Sequence, residues 1–247
     1  LWSQSNFGED LIYAPRGGAI YYWDAQIGVA PLPFTVTIAS PAVVTAALRN
    51  GTAVYLNTTG ALPTNLVVGT VYYVVGSTGT TCNLSLTYGG AAINTSGTQS
   101  GTQTISPRGI DIVQLGGASD CPTIQNTIFV ADVSRFVFAF GCNDYSSAVQ
   151  DPMLIRWSDQ ESVTNWTPSA TTQAGSIRLS HGSEIITCVQ TRQEIVVFTD
   201  SSLYSLQYQG PPVVWSSQLL GDNISIIGPN AAVVASGVIY WMGVEKF

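Results

Sequence analysis

Residues 151–168 read DPMLIRWSDQESVTNWTP and hold the chain's densest gathering of groups able to do chemistry: Asp159 and Glu161, flanked by Trp157 and Trp166. Two carboxylates about 5–10 Å apart across a sugar ring are what glycoside hydrolysis requires, and indole faces stack well on sugars. Asp159 and Glu161 stand two apart and could share a strand face, but within SDQES they fit a polar turn better. The other acidic pair, Glu9 and Asp10, is adjacent, so in a strand its members point to opposite faces. His181 is the only histidine, so any Ser–His–Asp triad would have to use it. It sits in LSHGSE, a Gly- and Ser-rich turn ahead of an apolar strand, and neither Ser176 nor Ser183 lies in a G-x-S-x-G frame. Zinc needs clustered His and Cys, and Cys82, Cys121, Cys142 and Cys188 show no C-x-x-C spacing. Gly17-Gly18 and Gly116-Gly117 lack a following helix, which argues against a phosphate cradle. The expectation is therefore a protein that is not an enzyme, with no catalytic residues, no metal and no cofactor.

The elements that would position these groups are strands. No run places apolar residues at i, i+3, i+4 and i+7 between helix caps. Short branched and aromatic runs recur between Gly, Pro, Asn and Ser clusters instead: AIYYWD (19–24), FTVTIA (34–39), TAVYLN (52–57), VYYVVG (71–76), TIFVAD (127–132), RFVFAFG (135–141), MLIRWS (153–158), EIVVFTD (194–200), SLYSLQY (202–208) and GVIYWMG (237–243). The fold class read from this is all-β.

EIVVFTDSSLYSL (194–206) and GVIYWMGVEKF (237–247) superpose at an offset of 43, laying Phe198 on Trp241 and Tyr204 on Phe247. Each follows an apolar strand, IITCVQT or AAVVASG, and RFVFAFG with MLIRWSD reads as a third copy. A unit of strand, short turn, strand, tight turn, strand repeating every ~40–50 residues has the size of a propeller blade. Residues 31–107 interrupt this texture. They contain no Asp, Glu or Trp, whereas the flanks hold all six tryptophans. So sharp a step at both ends predicts a self-contained insert, a small β-sandwich or barrel, within a discontinuous main domain of 1–30 and 108–247.

Charged residues make up 9% of the 247 and apolar ones 45%, with a net charge of −7. A typical chain has about 25% charged residues, so the scarcity predicts that much of the surface faces other protein. The singly scattered arginines and the negative balance argue against wrapping nucleic acid through its phosphates. No run approaches the ~18–20 apolar residues of a spanning helix, so no stable membrane insertion is expected. Cys121 and Cys142 could pair across neighbouring strands, but buried free thiols are the plainer expectation. N-x-[ST] occurs at Asn57, Asn83, Asn94, Asn165 and Asn223. In a chain this rich in Ser and Thr that is unremarkable, and it is not read as glycosylation. No signal peptide is visible. The chain begins at Leu1 and stops inside a strand-like phrase, which reads as a fragment of a longer protein.

Several phrases resemble a family of tailed-bacteriophage virion proteins, the propeller-bearing tail hub, tubular or nozzle proteins. They are NFGEDLIYAPRGGAIYYWD, SRFVFAFGCND, DPMLIRWSDQESVTNWTP, TQAGSIRLSHGSEI, TRQEIVVFTDSSLYSLQYQGPP and LLGDNISIIGPNA, within 1–28 and about 110–247. The insert is similar to a small β module that recurs in phage tail and fibre proteins, on FTVTIASPAVVT, TTGALPTNLVVGTVYYVV and GGAAINTSGTQSGT. It departs from that module at ALRNG (47–51), where a His-Gly-Leu turn is usual. The resemblance implies a virion structural protein, assembled in the bacterial host cytoplasm, that forms a ring around the DNA exit channel. Its implied partners are copies of itself, adaptor and fibre proteins of the tail, and genomic DNA that passes without specific binding. The insert would project outward, toward protein or host-surface contacts. Two alternatives stand beside it. One is a carbohydrate- or receptor-binding module using exposed aromatics such as Tyr21, Tyr22 and Tyr73. The other is a glycoside hydrolase on a propeller scaffold, using Asp159 and Glu161. Part of the Asp-box pattern S-x-D-x-G-x-T-W of sialidase propellers is present at Ser158–Trp166, with different spacing and without the glycine.

Overall fold

Branched and aromatic side chains crowd a helix but pack well on a pleated sheet, and the chain follows that preference. The structure, a computed structural model, describes residues 1–26, 31–131, 134–192 and 194–244. Among these it forms nineteen strands and one 3-10 turn, Ile112–Gln114. No helix among them is long and apolar enough to cross a membrane. The fold is all-β, built of several antiparallel sheets, none closed on itself.

The chain divides into two units, Leu1–Tyr21 with Gly117–Phe247, and Tyr22–Gly116. The compositional step at residues 31 and 107 falls inside the second. The first unit opens on a hairpin of β1 (Trp2–Phe7) and β2 (Asp10–Pro15), and β3 (Tyr21–Trp23) leads out of it. The second contains β4 (Leu32–Phe34), β5 (Ala53–Thr58), β6 (Val71–Val75), β7 (Asn83–Ser85), β8 (Gln103–Arg108) and β9 (Ile110–Asp111). Back in the first unit come β10 (Thr127–Val130), β11 (Val137–Phe140), β12 (Leu154–Trp157) and β13 (Gly175–Arg178). Next are β14 (Ile185–Gln190), β15 (Ile195–Thr199), β16 (Ser202–Gly210) and β17 (Val214–Asp222), and finally β18 (Ala232–Ala235) and β19 (Val238–Trp241).

β10 to β13 form one four-stranded meander, β14 to β17 a second, and β18–β19 a hairpin. The repeat read from sequence maps onto them. Phe138, Phe198 and Trp241 all lie on the second strand of their sheet, β11, β15 and β19. The match of Tyr204 to Phe247 falls outside the described residues, as do Asp132 and Lys246. The unit has four strands rather than the three expected. The additional strands, β13 and β17, are edge strands whose residues are largely part-exposed, so neither carries the apolar run that marked the others.

Sheet-on-sheet packing explains the runs. One core joins Phe136, Phe138, Phe140, Ile155 and Trp157 of the first meander to Ile195, Val197, Leu206 and Trp215 of the second. A second core joins Val196, Phe198 and Leu203 to Ile239 and Trp241 of the hairpin. β15 is therefore covered on both faces and all five of its residues are buried. This is why IVVFT is continuously apolar instead of alternating. Across the first meander a row runs Phe129, Phe138, Trp157, Gly175. At Gly175 a Cβ would lie 2.5 Å from the Trp157 indole. Gly175→Ala should displace that ring from the buried face and cost about 1–3 kcal/mol, read as a drop in the urea midpoint; an unchanged midpoint would contradict the packing.

In the second unit five strands run in the order β4-β8-β5-β6-β7 over a core that includes Phe34, Val36, Val44, Leu56, Tyr72, Val74 and Ile105. FTVTIA, expected as one strand, pairs only at Phe34; beyond it Val36 makes an isolated bridge to Val44. The cause is side-chain competition for the backbone. Thr35 N–H donates to Thr45 Oγ1 (2.9 Å), Val43 N–H to Thr37 Oγ1 (2.8 Å), and Thr95 Oγ1 donates to the Thr37 carbonyl (2.7 Å). With no carboxylate between 31 and 107, amides serve the loops as well: Asn83 donates to the Ala42 carbonyl (2.6 Å) and Gln99 to that of Val36 (2.8 Å).

Candidate functional site

The Asp159–Glu161 corner follows β12. Trp157 is buried and its indole N–H donates to the Gln173 carbonyl (2.8 Å). Trp166 is wholly buried and donates to the Val163 carbonyl (3.0 Å). Neither indole face is offered to a ligand. Asp159 accepts from the backbone N–H groups of Gln160 (3.0 Å) and Gln173 (2.7 Å), which locks the turn. Glu161 stands at φ 56°, in the left-handed region, with its carboxylate 3.9 Å from Arg135. The two carboxylates thus serve separate ends of one turn. Glu9, in the turn between β1 and β2, and Asp10, at the start of β2, lie elsewhere in the first unit.

The same use recurs across the chain. Asp24 accepts from Gln26 N–H, Asp111 from Val113, Asp120 from Ser146, Asp144 from Tyr145, Asp151 from Met153 and Asp200 from Ser183. Desolvation pushes the Asp200 carboxyl upward, but hydrogen bonds from the Ser183 hydroxyl and backbone and from the Glu184 N–H outweigh it and leave the group below its usual value. That carboxylate holds Ser183 (2.6 Å to its hydroxyl) and is not the orienting acid of a histidine. His181 Nδ1 instead lies 3.0 Å from Ser180 Oγ and 3.2 Å from Tyr204 Oη. The contact between adjacent residues on an exposed turn fixes the turn; the Ser–His–Asp relay is not assembled.

The first unit holds a polar cleft of about 390 Å³. Its walls are Trp2 and Gln4 of β1, Thr127 and Phe129 of β10, Thr187 and Cys188 of β14, and Ala232 of β18. The leading strand of each sheet thus converges on one opening. β1 is tied to β10 through Ser3 and Ser5, whose hydroxyls accept from Ile128 N–H (3.1 Å) and Val130 N–H (3.2 Å). At its rim Arg16 donates to Glu184 (2.5 Å) and to the Ile186 carbonyl (3.1 Å), and Asn126 also donates to Glu184 (3.1 Å). The guanidinium is consumed in joining sheets. In the second unit a smaller hollow of about 100 Å³ lies among Trp23, Asp24, Arg49 and Ile110, where Arg49 pairs with the buried Asp24 at 2.8 Å.

Sequence reasoning missed Arg156. Its neighbours MLI and W mark a buried strand, and the arginine itself is completely buried on β12. Its guanidinium lies 4.1 Å from the Tyr145 ring centroid, donates to the Asn143 carbonyl (3.1 Å) and the Asp120 carbonyl (2.5 Å), and stands 3.7 Å from the Asp120 carboxylate. A single arginine inside an apolar strand was the available signal.

All four cysteines are free, so Cys121 and Cys142 are not joined. Burial raises the thiol of Cys82 from 9.0 to about 11 and that of Cys142 to about 12. Both stay protonated in the fold while an unfolded thiol begins to ionise near 9. Stability should therefore be whole below that pH and fall as pH rises above it, by about 1 kcal/mol per thiol at pH 10. Urea midpoints at pH 8 and 10 check this, with Cys82→Ser/Cys142→Ser reducing the slope and the thiol of Cys188, which burial also raises, keeping the remainder. Of the aromatics named for sugar binding, Tyr21 stacks on Tyr13 (5.5 Å) and Tyr73 meets Tyr88 edge-on (6.2 Å), while Tyr22 lines the small hollow. Among the described residues no group of three His, Cys, Asp or Glu side chains is placed to hold a metal. No protein-family model matches the chain, and no curated protein matches it.

Proposed function

We propose that this chain is a structural subunit of a bacteriophage tail, one member of a ring around the DNA exit channel, with the second unit directed toward neighbouring proteins or the host surface. The observation that supports it most is where the reactive side chains are spent. Asp159, Asp200, Arg16 and Arg156 all hold turns and sheets together, which is the economy of a load-carrying shell rather than of a reaction centre. Repeated blade-like sheets around a polar cleft give a rigid frame. A net charge of −7 suits a wall past which DNA must slide, because a cationic wall would hold phosphates. The resemblance of residues 1–28 and 110–247 to tail hub and nozzle proteins supplies the assignment to a virion. The test is immunogold labelling of intact particles with an antibody to this chain. Labels clustered at the distal tail are expected; labelling confined to host material would refute the assignment.

A further inference from the structure

The sequence of the second unit contains only two basic residues, Arg49 and Arg108, and both line its hollow of about 100 Å³. The loop that carries Arg49 into β5 is held in one shape by its backbone. Gly51 N–H donates to the Val74 carbonyl (2.8 Å), Val74 N–H to that of Thr52 (3.0 Å), and Thr52 N–H to that of Arg49 (3.2 Å). Gly51 stands at φ 86°, and a Cβ there would lie 2.7 Å from the Tyr88 ring. Thr52 lines the hollow and is only 8% exposed, yet its hydroxyl has no hydrogen-bond partner among the described residues. Buried hydroxyls are seldom left so, and this one is available to a ligand. Arg49 is anchored, since the buried Asp24 pairs with it at 2.8 Å and Gln26 Oε1 accepts from it at 3.3 Å. That pairing offsets its charge. Arg108 is not offset: its guanidinium lies 4.2 Å from the Tyr55 ring centroid, and among the described residues no carboxylate or carbonyl accepts from it.

We propose that this hollow binds the carboxylate of an acidic sugar, a uronic or a sialic acid. Arg108 and the Thr52 hydroxyl hold the carboxylate, and the sugar ring lies against Tyr22 and Trp23 at the opening. Three observations converge on that chemistry. Two guanidiniums and one buried carboxylate leave a single positive charge, which matches a monoanion; a phosphate monoester carries about −1.5 to −2 and would be undercompensated. The volume corresponds to about three waters, enough for a carboxylate and the carbon bearing it, so the ring stays outside. Two aromatic side chains beside a few fixed polar groups are the usual make-up of a small-ligand site. An acidic protein side chain would fit the volume but would leave both aromatic rings without a partner. The proposal goes beyond the structural-subunit reading and does not depend on it.

Calorimetric titration of the whole chain with sialyllactose, trigalacturonate, maltotriose and a triglutamate peptide tests it. One of the two acidic sugars should saturate the chain with a Kd of about 1 mM or tighter, and added salt should weaken it. The one that binds identifies the class of surface polysaccharide. Maltotriose and triglutamate should not bind. Thr52→Val and Arg108→Gln should each weaken binding by about tenfold or more while keeping the wild-type melting temperature. Thr52→Ser, which retains the hydroxyl, should bind as the wild type does, and so should Arg192→Gln, at an exposed site in the first unit. Binding of maltotriose as tight as that of the acids would overturn the carboxylate role. Triglutamate binding in place of the sugars would give the hollow to an acidic protein segment and overturn the proposal. No binding of either acidic sugar, or binding indifferent to Thr52→Val and Arg108→Gln, would overturn it as well. None of these results changes what particle labelling decides about the tail.

Discussion

Replacing Arg156 by methionine should lower the stability of the first unit by about 3–5 kcal/mol, the range for removing one member of a buried ion pair. The side chain has no exposed surface, and it closes two backbone carbonyls, those of Asp120 and Asn143, besides facing the Asp120 carboxylate. Methionine fills much of the volume, so the loss reports the orphaned acceptors rather than a cavity. Lysine should not rescue it. A single ammonium cannot reach both carbonyls while lying flat on Tyr145, as the guanidinium plane does. Pairing Arg156→Met with Asp120→Asn should restore part of the loss, because the carboxylate no longer needs its cation. Urea midpoints of the four proteins measure this. For a domain of this size about 3 kcal/mol corresponds to roughly 6–12 °C in melting temperature.

A comparable loss, about 3–5 kcal/mol, should follow Trp215→Ala. Trp215 on β17 is the ring that joins the two meanders. Phe138 meets it edge-on at 4.9 Å, Phe136 at 5.8 Å, and Tyr208 lies at 5.3 Å. Alanine leaves a hole between two sheets that are each rigid, so little collapse can offset it. Trp215→Phe should cost far less. The indole N–H of Trp215 is buried without an acceptor, so phenylalanine removes an unsatisfied donor along with the volume it loses. If the phenylalanine variant were as unstable as the alanine one, the wedge role assigned to this ring would be wrong.

What the sequence disclosed, and what it withheld, follows from where side chains point. Runs buried on both sides, such as β11 and β15, were legible because every residue in them is apolar or small. The repeat was legible through Phe138, Phe198 and Trp241, which occupy equivalent second strands. Edge strands β13 and β17 were not, since their half-exposed residues carry no pattern distinct from loops. FTVTIA read as a strand by propensity, but threonine hydroxyls captured the backbone bonds a ladder would have used. The carboxylates of SDQES were legible as a turn from composition. Their acceptance of Gln160 and Gln173 N–H groups needed coordinates, because Gln173 is 14 residues away. The role of Arg156 was hidden for the same reason: its partners, Asp120 and Asn143, come from loops that no local spacing links to β12.

The central claim is that blade-like sheets poor in charge exist here to associate with copies of themselves. The most direct measurement is the molar mass of the purified chain by light scattering over about a hundredfold range of concentration. The account predicts a mass that climbs to a fixed multiple of 26.2 kDa and holds there as the ring closes. A mass of one chain at every concentration would contradict it.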